Sequence, residues 1–66
     1  MHQVQRWTSE GWLTLWEGEE ERESRSQWSY YTEYGTKEGV LQHPENGMYR
    51  RMHNGERVAR RHLFKE

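Results

Sequence analysis

Two Asn-Gly pairs, Asn46-Gly47 and Asn54-Gly55, bracket a short run of alternating side chains, and they limit the folds open to this chain more than any other feature. A type I′ hairpin turn needs positive φ at both central residues, and Asn followed by Gly meets that need at least cost. Asn54-Gly55 fits it. Pro44-Glu45-Asn46-Gly47 fits a type I turn instead, with Pro presetting φ and Gly closing the reversal. Residues 41–64 (LQHPENGMYRRMHNGERVARRHLF) therefore read as a basic three-stranded meander. A two-residue loop at Asn54-Gly55 sets His53 opposite Glu56, Arg51 opposite Val58, Arg50 opposite Ala59 and Tyr49 opposite Arg60. In that register Arg50, Arg57 and Arg61 share a face with Leu41, Met48, Met52, Ala59 and Leu63. Arg51 and Arg60 share the other with Tyr49, Val58 and Phe64.

The preceding residues extend the β pattern. Residues 3–8 (QVQRWT) predict a strand, and Ser9-Glu10-Gly11 a short loop with Gly where a bulged hairpin wants it. Residues 12–17 (WLTLWE) alternate two faces, Trp12, Thr14 and Trp16 against Leu13, Leu15 and Glu17. Residues 18–26 (GEEERESRS) are too charged to bury and predict an exposed Glu-rich loop. Residues 27–34 (QWSYYTEY) are dense in strand-favouring Trp, Tyr and Thr. Turn signals recur at spacings typical of all-β sandwiches and barrels. The expected fold is an all-β, antiparallel meander of five or six short strands, curled into a barrel-like sheet. Trp12, Trp16, Trp28 and Tyr30 form its core. The alternative is a small sheet with one C-terminal helix over about 55–65, where Val58, Ala59, His62 and Leu63 also fall on a helical stripe.

At 66 residues the chain is expected to form a single small domain, 1–66. A domain of this size buries only about 60% of the surface its unfolded chain exposes. The large rings on both faces of its strands predict a homodimer or larger closed oligomer. There is no Cys, hence no disulfide framework and no thiolate chemistry, which suits a cytoplasmic location. No run of residues has the length of a membrane span or the pattern of a signal peptide.

A search for reactive groups excludes more than it finds. His2, His43, His53 and His62 lack the paired spacing of a zinc site, and the register above sets His43 and His62 on opposite faces. There is no Asp, no Cys and no Gly-rich phosphate loop, which leaves nucleophilic and phosphoryl-transfer chemistry without parts. The hairpin-tip pair His53 and Glu56 has no pocket to exclude water. The sequence predicts no enzyme, no metal and no cofactor.

Binding is what the charge pattern predicts. The net charge of −1 hides a division, because residues 1–33 carry mostly Glu and residues 34–66 mostly Arg and Lys. Arg50, Arg51, Arg57, Arg60 and Arg61, with Tyr49 as a stacking ring, form the candidate site for nucleic acid or another polyanion. The second reading is a protein-binding regulator or inhibitor that uses the aromatic sheet surface, or docks Glu17, Glu19, Glu20, Glu21 and Glu23 on a basic partner.

Overall fold

The computed structural model describes whole residues at 1–33 and 44–64 and the backbone at 35–37 and 40–42. Its elements run β1 (His2–Thr8), β2 (Gly11–Gly18), α1 (Glu21–Thr32), β3 (Gly35–Lys37), β4 (Val40–Gln42), β5 (Gly47–His53) and β6 (Glu56–Leu63). One antiparallel sheet has the order β2-β1-β5-β6, and β3 and β4 form a separate two-stranded ribbon. The protein is thus mostly sheet, as expected. The main sheet has four strands rather than five or six, is not closed into a barrel, and carries one helix.

Two hairpins lie side by side in that sheet. In the first, the Thr8 hydroxyl donates to the Gly11 carbonyl oxygen at 2.7 Å and accepts from the Glu10 N–H at 3.2 Å. Gly11 closes the turn at φ 112°, which favours glycine. In the second, Asn54 and Gly55 adopt φ 50° and 81°, the paired positive angles that this dipeptide supplies. β6 is accordingly a strand and not the alternative C-terminal helix. The three-stranded meander does not form. β4 pairs with β3, whereas β5 takes β1 as its second neighbour, from His2 opposite His53 to Arg6 opposite Tyr49.

α1 occupies residues expected to be an exposed loop and then a strand. Glu, Arg and Gln are good helix formers, Glu21 and Glu23 in the first turn complement the helix dipole, and Glu21 pairs with Arg25 at 3.2 Å. A helix of 12 residues is marginal alone, so docking must stabilise it. Ser24 and Thr32 are buried against the sheet, and both are small enough to let the helix approach closely. The Arg51 guanidinium donates to the Ser24 hydroxyl at 3.4 Å. That of Arg61 donates to the Thr32 hydroxyl at 3.3 Å, and the Tyr31 hydroxyl donates to the Leu15 carbonyl oxygen at 3.2 Å. This tertiary fit overrides the strand preference of Trp28, Tyr30 and Tyr31.

The core lies mostly on the α1 side of the sheet. Val4, Tyr49 and Leu63 are buried there, together with His2, while Met52 and Gln5 are buried on the opposite face. The expected aromatic cluster does not form: Trp12 stands on the opposite face, Tyr30 is half-exposed and Trp28 is carried on the helix.

Candidate nucleic-acid interface on the open sheet face

Side chains along a strand alternate between faces, so the register decides which groups α1 covers. Two bulges set it. In β2, Gln5 pairs with Thr14 but Val4 with Trp16, leaving Leu15 as the extra residue and turning Trp16 to the helix side. In β6, Met52 pairs with Arg57 but Arg51 with Ala59, leaving Val58 as the extra residue. The regular register expected for this hairpin therefore holds only at its tip, with His53 opposite Glu56. From Ala59 outward every residue sits one place along. Arg50 faces Arg60, and Tyr49 faces Arg61.

That single extra residue redistributes the candidate arginines. Arg50, Arg57 and Arg60 share the open face, whereas Arg51 and Arg61 lie on the α1 side and donate to the helix. Tyr49 also leaves the site. Its ring is buried at 2% exposure, and its hydroxyl donates to the Glu45 carbonyl oxygen at 2.8 Å.

The open face is built in levels across the sheet. Across its middle run Thr14, Gln5, Arg50 and Arg60. The Gln5 amide donates to the Thr14 hydroxyl at 3.1 Å, and Arg50 Nε donates to Gln5 Oε1 at 2.7 Å. The Arg50 guanidinium carbon lies 3.9 Å from the centre of the Trp12 ring, a cation–π contact. Arg50 is thus fixed at Nε and by stacking. Burial pulls its pKa below the ordinary arginine value, and the neighbouring Arg57 charge adds to that effect. Among the described residues, none of Arg50, Arg57 and Arg60 has an ion-pair partner.

A row of rings borders the cations. Trp7 pairs with Trp12 across β1 and β2, with ring centroids 5.3 Å apart in an edge-to-face arrangement. Met48 pairs with His62, whose ring packs on Phe64 at 4.0 Å. By the antiparallel order, Trp7 and Met48 are the next residues beyond the Arg6 and Tyr49 pair. Trp12, Trp7, Met48 and His62 therefore form one level across all four strands. Trp7 is 51% exposed and Phe64 81% exposed.

Of the acidic residues in the second reading, Glu17 lies at the β2 edge of the open face, where it accepts from the Gln3 amide at 3.3 Å. Glu19 and Glu20 lead into α1, and Glu21 and Glu23 form its first turn, all exposed. No three His or Glu side chains come together as a metal site among the described residues, and His43 lies outside them. No helix is long and apolar enough to cross a membrane. Trp7, Trp12 and Gln5 are members of the face that sequence reasoning did not select. The parity of Gln3, Gln5 and Trp7 along β1 carried the signal, but nothing in the sequence showed that β5 lies beside β1.

The chain matches no family model, no curated protein and no solved structure.

Proposed function

We propose that this protein is a non-catalytic binding module that holds nucleic acid, or another polyanion, on the open face of its sheet. The observation that carries the reading is Arg50, a half-buried guanidinium fixed by Gln5 and Trp12, beside Arg57 and without a carboxylate partner among the described residues. Holding like charges together costs free energy that a phosphate group would offset. The acidic charges support the reading by their placement. Of the described Glu residues only Glu17 stands on this face, and Glu21 and Glu23 ride on the helix behind it. A backbone phosphate approaching the open face meets mainly positive charge.

Binding should weaken steeply with salt, because each phosphate that an arginine neutralises releases counterions. Changing Arg50, Arg57 and Arg60 together to Gln should flatten the slope of log affinity against log salt by roughly 0.7–0.9 for each phosphate left without its arginine. Arg22→Gln, an exposed change on the helix, should leave the slope unaltered. No binding to any polyanion at low salt, or an equal loss from Arg22→Gln, would end this reading.

A further inference from the structure

We infer that the face takes single-stranded nucleic acid through unpaired bases, with the level of rings from Trp7 to His62 and Phe64 as the stacking platform and the arginines beside it as the phosphate track. The inference rests on the polyanion reading above and goes beyond it, because cations alone do not distinguish a single strand from a duplex or from any other chain of phosphates.

Three observations carry it. The ring level and the basic level are adjacent, two residues apart along each strand, which is roughly 7 Å at the usual rise. The level of Trp12, Trp7, Met48 and His62 crosses the full width of the sheet, about 14 Å over three strand spacings, with Met48 as the apolar member between the rings. A strand laid across the sheet can thus set bases over rings while its phosphates track over Arg50 and Arg60. The rings are also still accessible. Trp7 keeps half its surface although Trp12 abuts it, and Phe64 keeps most of its own. Rings of this size in open water carry a standing cost, which a flat apolar partner relieves. Duplex bases are already stacked and present only edges in the grooves, whereas unpaired bases present π-faces.

The buried amide network fits the same occupant. The Gln5 amide donates to Thr14 and accepts from Arg50 Nε, and the guanidinium lies over the Trp12 ring. Both ends of the Gln5 amide are thereby engaged in holding Arg50 and not in reading base edges. Stacking tolerates every base, so the expected preference is for single-strandedness and not for sequence.

The test uses the full chain and three probes of equal length: oligothymidylate, the same sugar–phosphate strand without bases, and a blunt duplex. Each is titrated at one fixed salt concentration while tryptophan fluorescence is followed. Oligothymidylate should bind about tenfold or more tighter than the abasic strand, since each stacked base contributes roughly five- to a hundredfold. It should also bind tighter than the duplex and quench the fluorescence. Phe64→Ala, at a site too exposed to affect folding, and Trp7→Ala should each narrow the gap between oligothymidylate and the abasic strand without weakening the abasic strand. Equal affinity for both single strands would overturn the stacking platform while leaving the polyanion reading in place. A preference for the duplex would do the same. Failure of all three probes at low salt would overturn this inference and the nucleic-acid reading beneath it together.

Discussion

The five arginines of β5 and β6 carry the same charge and do different work according to what stands across from them. Arg51 and Arg61 meet Ser24 and Thr32 and hold the helix, while Arg50 meets Gln5 and Trp12 and faces solvent on the other side. The same close fit makes Ser24 sensitive to size. Ser24→Leu should force α1 off Val4 and cost about 1–3 kcal/mol or more in chemical denaturation, and an unchanged midpoint would show that the helix packs elsewhere. His2 adds a pH dependence. Its ring is buried in a parallel stack on His53 at 4.1 Å, and burial first, then the His53 charge, hold its pKa below the ordinary 6.5. A lowered folded pKa means that the unfolded chain takes up the proton first. Stability is therefore full above about pH 6.5 and falls as the pH drops through the range between the unfolded and folded values. Unfolding midpoints from about pH 7.5 down to about pH 5 should show this decline, and His2→Gln should reduce it. A wild-type midpoint that rises on acidification would contradict the burial of a neutral His2.

Among the elements, β6 shows how a single residue can decide a surface. Were Val58 paired and not bulged, strict alternation would carry Arg61 on the face of Arg50, as the sequence suggests. With Val58 bulged out, Arg60 takes that place. Val58 is half-exposed on an edge strand, and the pairs on either side of it, Met52 with Arg57 and Arg51 with Ala59, are already consecutive on β5. Deleting Val58 should therefore leave the pairing intact, with a change of no more than about 1 kcal/mol in stability and no loss of polyanion affinity. An unfolded protein, or a loss of affinity matching the arginine triple variant, would show that the bulge does more than count residues. The hairpin at Asn54-Gly55 was legible because its turn chemistry is local. The bulges were not, since they depend on the neighbouring strand and on twist. The helix was hidden for a related reason. Its Trp and Tyr residues favour strands, and only the spacing of Ser24, Trp28 and Thr32 discloses the face that docks. Of the candidate site, Arg50, Arg57 and Arg60 were legible from charge, whereas the separation of Arg51, Arg61 and Tyr49 from them required knowing that α1 exists.

At the scale of the whole molecule, the sheet is a partition. One side carries α1 and the buried side chains of Val4, Tyr49 and Leu63, and the other presents rings and arginines with no ion-pair partner among the described residues. The tryptophans divide in the same way: Trp7 and Trp12 stand on the open face, while Trp16 lies on the helix side of β2 and Trp28 on α1. Their four indole N–H signals report directly on which side meets a ligand. The decisive measurement is a proton–nitrogen spectrum of the ¹⁵N-labelled protein during titration with a short single-stranded oligonucleotide at low salt. The indole signals of Trp7 and Trp12 should shift progressively and saturate, with those of Trp16 and Trp28 nearly still. Saturating shifts confined to Trp16 and Trp28, or no shift in any of the four, would contradict a binding face opposite the helix.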